Sequence, residues 1–399
     1  AGYYSIYRIW VVWLAITCSF GITHSLMAQS TYQAIIDAGS SGSRIYLYHI
    51  TPVPHQQIPE IKAVYQYKVT PGLSALMATS TKAIRQVHTL LDSARRFLGR
   101  TSYAQKVPVY LLATAGLRLK PRSEQQSLLK TIQQSVTRDK RFVFSKALVL
   151  SGSYEGLYAW LATNYLHHRF DPAKPSLALA EMGGASVQLA YALPASPYRQ
   201  LQKYVLHRRI NGHDYQIYAR SYLGLGQNQA FDLLKNCTAC FKPLPAKGNY
   251  EQCLRQISDT LHQQYKIVAQ QALPSGKSLR IKRLIILSAF YYVLRDLDLL
   301  NGQKQISLGQ FITKGREVHT QGWDKFKSTM EMARRNIAPA YMRKYYLNLV
   351  YLRYLWQRLF KLTLNTQISP LWQHNKAIAP NWSLGAVLDI YLGYHPEKY

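Results

Sequence analysis

The sequence predicts an α/β protein made of two similar lobes that face each other across a central cleft. Short apolar segments alternate with longer segments of helical periodicity along most of the 399 residues, which is typical of an α/β architecture. In addition, one pattern occurs twice: an apolar strand, an acid, a turn of small residues, and a second strand. A repeated hairpin with its acid at the same position indicates two lobes built on one plan.

The first copy of this hairpin surrounds Asp37. Residues 34–36 are apolar, residues 39–43 (Gly-Ser-Ser-Gly-Ser) form the turn, and residues 45–48 continue as a second strand. A turn without bulky side chains leaves its backbone N–H groups and hydroxyls free to converge on a phosphate. Asp37 is placed to meet a cation carried by that phosphate. Alone, the pattern also fits a purely structural Gly/Ser hairpin.

The second copy surrounds Glu181. Residues 177–180 are apolar, residues 183–186 form a turn of small residues, and residues 187–191 continue as a strand. Two such turns, facing each other, predict a clamp around a phosphate chain.

The remaining elements follow from apolar periodicity and turn residues. In the first half we predict strands over residues 64–69, 107–112 and 147–150, and helices over residues 79–98 and 123–136 and from residue 152 onward. In the second half we predict a strand pair over residues 204–210 and 214–218, and helices after residue 226, over 258–269, over 341–362 and at the C-terminal end.

The charge of the chain is strongly positive. The net charge is +30 and 48% of the residues are hydrophobic, which is ample for a core. Such basicity fits nucleic acid, an anionic surface or an anionic substrate as partner. The basic residues are scattered, and the sequence contains no zinc finger and no RNA-binding aromatic signature. We therefore expect no nucleic-acid partner.

Residues 1–28 have the composition of a signal peptide. Arg8 precedes an uncharged, mostly apolar run over residues 9–22, which is short for a bilayer span, and Ala28 offers a cleavage site. Leu26 is larger than the small residue preferred near such a site, so an uncleaved anchor stays open. We expect an exported protein, secreted, periplasmic or extracellular, with no stable membrane span after the leader.

Three cysteines follow the leader: Cys237, Cys240 and Cys253. The first two have the spacing of half a metal site, but no second Cys/His pair at zinc spacing follows. A redox motif needs a strand–helix context, whereas prolines follow here. Export permits disulfides. We predict one disulfide, Cys240–Cys253, and a free thiol at Cys237.

Five segments carry a resemblance to a known family. They fall in the order and approximate spacing of the five signature regions of the ecto-nucleoside triphosphate diphosphohydrolase (apyrase) family, at residues 37–44, 113–118, 152–160, 181–188 and 287–293. Residues 223–227 and the Trp382 segment are also similar to that family. The resemblance implies the two RNase H-like lobes of the actin, heat-shock chaperone and sugar-kinase superfamily. Lobe I is then expected at residues 29–165, completed by 383–399, and lobe II at 166–382.

The resemblance also implies an activity, namely cleavage of the terminal phosphate of nucleoside tri- and diphosphates by water. Glu155 would be the general base, and its place near a helix N-terminus favours the ionised form. The alternative is that Glu155 only caps its helix. Ser186 and Gln188 would position the water. The phosphate chain would be held by Ser40, Ser41, Gly42 and Ser43 on one side and by Gly183, Gly184 and Ala185 on the other.

The implied cofactor is Mg²⁺ or Ca²⁺. Hard cations prefer oxygen ligands and keep several waters, so Asp37, Thr114, Glu181 and Trp382 would act mainly through metal-bound water. Thr114 alternatively only caps its turn. The chain departs from the family at Glu181, where the family usually has Asp. The longer side chain puts the metal preference and the turnover rate in doubt, though not the reaction class.

Recognition of the nucleobase is expected from an aromatic ring of the second lobe. Tyr351 lies in the matching region, with Tyr346 or a residue just after Val293 as alternatives, and a buried core role is the structural alternative. Other functions on the same fold are a kinase or an exopolyphosphatase, and outside enzymes a nucleotide-binding or surface-binding module. The joint presence of Glu155 with Ser186 and Gln188 argues against a module without catalysis.

Overall fold

The computed structural model of the protein describes residues 29–137, 139–194, 199–241, 249–264, 281–333, 337–371 and 381–396. The predicted leader and the end of the helix predicted over 258–269 lie outside these ranges. Within them, no helix combines the length and the apolar character needed to cross a membrane. These residues form two β-sheets whose faces are covered by helices.

The first sheet consists of five strands: β1 Thr31–Ala38, β2 Ser43–Thr51, β3 Glu60–Val69, β4 Val107–Ala113 and β5 Phe142–Val149. Their order is β3-β2-β1-β4-β5. The first three strands are antiparallel neighbours, whereas β4 and β5 run parallel to β1. Because β1 and β4 end side by side, Asp37 and Thr114 lie at the same edge of the sheet.

The second sheet repeats this plan and adds two strands. Its members are β6 Ala178–Met182, β7 Ser186–Leu193, β8 Val205–Ile210, β9 His213–Leu223, β10 Arg283–Ser288, β11 Ile306–Ser307 and β12 Gln367–Pro370. The order is β11-β12-β10-β6-β7-β9-β8. Its five central strands, β12-β10-β6-β7-β9 in that order, have the pairing of the first sheet. On one side of β6 lie β7 and then β9, each antiparallel to its neighbour. On the other side lie β10 and β12, which run parallel to β6. The predicted duplication is therefore present in the backbone.

Twelve α-helices are present in the described ranges. They are α1 Ser80–Leu98, α2 Ala115–Arg118, α3 Arg122–Val136, α4 Gly152–Leu166, α5 Gln227–Leu234, α6 Thr238–Phe241, α7 Asn249–Gln264, α8 Ala289–Asp296, α9 Leu308–Gln321, α10 Trp323–Met332, α11 Pro339–Arg353 and α12 Trp382–Tyr391. The helix predicted over 341–362 is thus α11 followed by a π-helical segment, Tyr354–Leu359.

The sheets pack through both of their faces. In β1, Ala34 and Ile36 join the core that includes α1 and α3, whereas Ile35 points to the opposite face. There α4 and α12 share one apolar core with residues of both sheets. A Cβ on Gly385 of α12 would lie 1.8 Å from the carbonyl oxygen of Tyr158, so only glycine permits this close helix pair. The lobe boundaries predicted at residues 165 and 382 stay predictions.

The disulfide Cys240–Cys253 is present, linking α6 to α7, and Cys237 keeps a free, buried thiol. The predicted start of the following helix at residue 258 is wrong, because α7 begins at Asn249. Buried residues at helical spacing continue upstream of residue 258 and show this in the sequence: Tyr250, Cys253, Leu254 and Ile257.

Candidate active site

The two predicted phosphate turns close in the same way and touch each other. The N–H of Gly39 donates to the Gly42 carbonyl oxygen (3.0 Å), and the N–H of Gly183 donates to that of Ser186 (2.9 Å). A Cβ on Gly184 would lie only 2.6 Å from Ser40 Oγ. The turns of the two sheets therefore lie in contact at this point, where a larger residue would require the Ser40 hydroxyl to move.

A loop of the second lobe forms hydrogen bonds with the backbone of the turn over residues 183–186. The family resemblance includes residues 223–227 but implies no role for them. Three backbone hydrogen bonds show that this loop holds the turn. The N–H groups of Gly224, Gln227 and Asn228 donate to the carbonyls of Ala185, Gly183 and Gly184, in that order, at 2.8–2.9 Å. These hydrogen bonds satisfy the carbonyl groups on one side of the turn and fix its backbone, while the opposite side stays open.

Glu155 lies in the first turn of α4 and is buried. Ser151 caps this helix by accepting a hydrogen bond from the N–H of Tyr154. The Glu155 carboxylate Oε2 accepts hydrogen bonds from Gln188 Nε2 (3.0 Å) and from Arg118 Nη2. Burial raises the pKa of Glu155, and the neighbouring Arg118 guanidinium opposes this rise. Glu155 is therefore tied into a polar network and does not serve as the cap of its helix.

Ser186 and Gln188 belong to the same network. Gln188 Nε2 lies 2.7 Å from Ser186 Oγ and 3.0 Å from Ser221 Oγ, so its two N–H groups are shared among these hydroxyls and Glu155. The three predicted catalytic side chains, Glu155, Ser186 and Gln188, are thus brought together within hydrogen-bonding distance. Ser221 of β9 and Arg118 are members of the network that sequence reasoning missed. Both are distant in sequence from Glu155: the sheet register pairs Ser221 with Gln188, whereas the contact of Arg118 depends on how α2 and α4 meet.

Asp37 and Glu181 are two further buried carboxyls at the cleft. Burial raises the pKa of Asp37 to about 7, against the effect of the Arg44 guanidinium, which lies 3.8 Å away. Burial, reinforced by the negative charge of Glu155, raises the pKa of Glu181 to about 8. Ser288 donates to Glu181 Oε1 at 2.7 Å, while Oε2 is buried without a hydrogen-bond partner in the described ranges.

These carboxyls fit a hard cation held through water. An unpartnered buried carboxylate oxygen and mutually repelling acids are features that a divalent cation would relieve. Among the described residues, no group of three or more His, Cys, Asp or Glu side chains is spaced to ligate a metal directly. Thr114 lies at the same edge, where its N–H donates to the Ala38 carbonyl at 3.2 Å. Trp382 begins α12, buried and stacked on Tyr158, so its part in a metal shell stays a prediction.

The structure does not support Tyr351 as the base-binding residue. Its ring is fully buried in the second-lobe core, and its hydroxyl donates to the Leu225 carbonyl at 2.7 Å. The alternative Tyr346 is also buried and stacks on His319, with ring centroids 4.1 Å apart. A ring enclosed on both faces cannot stack on a nucleobase. Both aromatic residues pack the core of the second lobe, which is the structural alternative to the role that the family resemblance implied.

Comparison with known proteins agrees with this geometry. Two sheets that share one strand plan form a two-lobed α/β fold. Solved structures of that fold include a nucleoside triphosphate hydrolase from Neospora caninum (TM-score 0.59, 15% identity, covering 97% of this chain and 96% of that one). A Ppx/GppA family member from Aquifex aeolicus also matches (TM-score 0.57, 12% identity, covering 92% and 99%).

The chain belongs to the GDA1/CD39 (nucleoside phosphatase) family, which matches residues 24–238. It is 32% identical over 266 residues to a guanosine-diphosphatase of Schizosaccharomyces pombe, covering 62% of this chain and 47% of that protein. It is 25% identical over 438 residues to the Golgi apyrase of Saccharomyces cerevisiae, covering 89% and 69%. The chain spans about half the length of the first of these relatives.

Proposed function

We propose that the protein hydrolyses the terminal phosphate of nucleoside tri- and diphosphates by a metal-assisted attack of water activated by a base. The observation that carries this proposal is the network of Glu155, Ser186 and Gln188 beside the meeting point of the two phosphate turns. Membership in a nucleoside phosphatase family and the names of the relatives support the choice of substrate class.

The residues divide the reaction among them. Residues 40–43 and 183–185 hold the phosphate chain through backbone N–H groups and hydroxyls, because a phosphoryl group needs its oxygens fixed for in-line attack. Ser186 and Gln188 orient the water. Glu155 takes its proton, and a pKa raised by burial makes it a better base near neutral pH.

A divalent cation, Mg²⁺ or Ca²⁺, would be held mainly through its waters by Asp37, Thr114 and Glu181, with Trp382 beside them. When bound, it neutralises phosphate charge. The Ser288 hydrogen bond fixes one oxygen of Glu181 and directs the unpartnered one to this role. In this way Glu181 occupies the place that Asp has in the resembling family.

We further propose that the chain is exported and that its first lobe is completed by the C-terminal helix. The disulfide between Cys240 and Cys253 supports an oxidising compartment. The contact between the hydroxyls of Tyr48 in β2 and Ser383 in α12, at 2.6 Å, supports the lobe assignment.

The test is phosphate release from ATP, ADP, AMP and polyphosphate by the wild type and by Glu155→Gln. We expect release from ATP and ADP, none from AMP, and a loss of at least ~10²-fold in kcat for Glu155→Gln with nucleotide binding retained. Glu124→Gln is a matched control, since Glu124 occupies the first turn of α3 and is exposed. Near-normal turnover by Glu155→Gln, or steady cleavage of AMP, contradicts the proposal, and release from polyphosphate alone would assign a different substrate.

A further inference from the structure

Arg118 is a buried cation whose partners both belong to the proposed catalytic network. It ends α2, next to the first sheet, and its side chain is only 2% exposed. Its Nη2 donates to Glu155 Oε2 and also to Ser186 Oγ, the latter at 3.3 Å. One nitrogen of the first lobe thus contacts the proposed base on α4 and a proposed water-positioning hydroxyl on β7.

The fold leaves space for this guanidinium. A Cβ on Gly152 would lie 2.4 Å from Arg118 Nη1 and 2.2 Å from the Ser221 Cβ. A glycine at the start of α4 therefore lets the guanidinium and β9 approach the helix together. Gly152 is required by this close approach, since any side chain would displace Arg118 or Ser221.

The charges around Glu155 give Arg118 a definite electrostatic effect. Two acids lie near Glu155 at the sheets, Asp37 at the end of β1 and Glu181 at the end of β6, and the negative charge of Glu155 raises the pKa of both. The Arg118 guanidinium faces Glu155 from α2. Burial opposes ionisation of Glu155, whereas the guanidinium favours it.

We propose that Arg118 is a positioning residue that holds the Glu155 carboxylate and the Ser186 hydroxyl on one side of the cleft, so that both contact the same water. This inference rests on the proposed function. Arg118 acts through Glu155 and Ser186 and need not contact the nucleotide. Losing it leaves the phosphate turns intact, because its hydrogen bonds do not involve residues 40–43 or 183–185.

The experiment compares Arg118→Gln and Arg118→Lys with the wild type in kcat, KM and the pH profile of kcat/KM for ADP. For Arg118→Gln we expect kcat to fall by ~10²-fold while KM changes by less than about threefold. The acidic limb of the profile should move to higher pH, because Glu155 loses its cation. Arg118→Lys keeps the charge but not the planar geometry, so the limb should stay while kcat falls.

Arg208 offers a matched control. It forms a buried ion pair with Asp389 of α12, with Nε to Oδ1 at 2.6 Å and Nη2 to Oδ2 at 2.9 Å, outside the catalytic network. Arg208→Gln should lower the unfolding temperature without moving the acidic limb. Gly152→Ala is a second probe that displaces the guanidinium and keeps its charge, and we expect a lower kcat with the limb unmoved.

The outcomes separate this inference from the proposed function. If Arg118→Gln has the kcat and the pH profile of the wild type while Glu155→Gln is inactive, the positioning role of Arg118 alone is overturned. An active Glu155→Gln would overturn the proposed function itself. If Arg118→Gln does not fold, Arg118→Lys and Gly152→Ala decide, and unchanged kcat for both overturns the inference.

Discussion

The two acid-bearing hairpins share a backbone plan but differ in the residue that stands opposite the acid. In register, Asp37 pairs with Arg44 across β1 and β2, whereas Glu181 pairs with Gln188 across β6 and β7. The first hairpin thus places a cation beside its acid, and the second places a neutral amide that contacts Glu155. One duplicated scaffold therefore serves two tasks in the proposed reaction: charge neutralisation in the first lobe and orientation of water in the second.

The test with the largest expected effect replaces the residue opposite each acid, Gln188 in one variant and Arg44 in another. Gln188→Ala should lower kcat by ~10²-fold with little change in KM, because the amide contacts the base and the water-positioning Ser186. Arg44→Gln, at the equivalent position, should mainly raise KM and change kcat by less than about threefold. Steady-state kinetics with ADP measures both. Equal losses of kcat in the two variants would show that the hairpins do not divide the work.

A second test concerns the two acids. If Asp37 and Glu181 share a water-filled metal shell, activity should vanish in EDTA and return with Mg²⁺ or Ca²⁺. Glu181→Ala should lose ~10- to 100-fold in kcat while circular dichroism stays unchanged. Glu181→Asp should retain activity, because the shorter carboxylate still reaches a metal-bound water. Full activity in excess EDTA would exclude a shared metal shell.

The hairpins themselves could be predicted because their information is local. An acid, a turn of small residues and flanking apolar strands lie within about a dozen consecutive residues, and the structure has strands ending at Ala38 and Met182 as the pattern requires. The disulfide Cys240–Cys253 and the grouping of Glu155 with Gln188 also agree with expectation. The hairpins and the disulfide depend on residues close in sequence, whereas the grouping of Glu155 with Gln188 was implied by the family resemblance.

Features that depend on distant partners could not be predicted. Arg118 was visible within a motif, but its contact with Glu155 depends on how α2 and α4 meet. The edge strand β11 and its neighbour β12 are two and four residues long, and β12 ends in Pro370, which weakens the strand pattern. The full burial of Tyr351 follows from helix packing, which periodicity alone cannot distinguish from an exposed stripe.

A third test uses two neighbouring glycines of the second turn. A Cβ on Gly184 would meet Ser40 Oγ at 2.6 Å and Asn228 Nδ2 at 2.9 Å, whereas one on Gly183 would meet only the Ser186 carbonyl at 3.7 Å. Gly184→Ala should therefore displace the Ser40 hydroxyl and the Asn228 amide and lower kcat/KM by ~10-fold. Gly183→Ala, the matched control, should change it much less. Equal effects of the two substitutions would contradict the contact between the hairpins.

The smallest expected effect is the pH dependence of stability without metal. The pKa values of Asp37 and Glu181 rise to about 7 and about 8 in the folded chain, above the values of 3.8 and 4.5 for free side chains. A folded state that binds protons more tightly is stabilised below about pH 4. That stability is lost as the pH rises through 7 and 8. In EDTA, the unfolding temperature should therefore fall between pH 5 and pH 8, and Mg²⁺ or Ca²⁺ at pH 8 should raise it again.

The neutral variants separate the contributions of the two hairpins to this fall. Glu181→Gln should make this fall in unfolding temperature smaller by about 3 °C, measured by calorimetry in EDTA. Among the described residues, no cation lies beside the Glu181 carboxyl as Arg44 lies beside Asp37. Asp37→Asn should have a smaller effect, since Arg44 already compensates part of the charge of Asp37. Glu60→Gln, at an exposed acid of β3, serves as the control and should leave the slope unchanged. Equal slopes for all four proteins would mean that the carboxyls of the two hairpins titrate as exposed acids. The difference between the hairpins would then lie in their contacts alone and not in their charge.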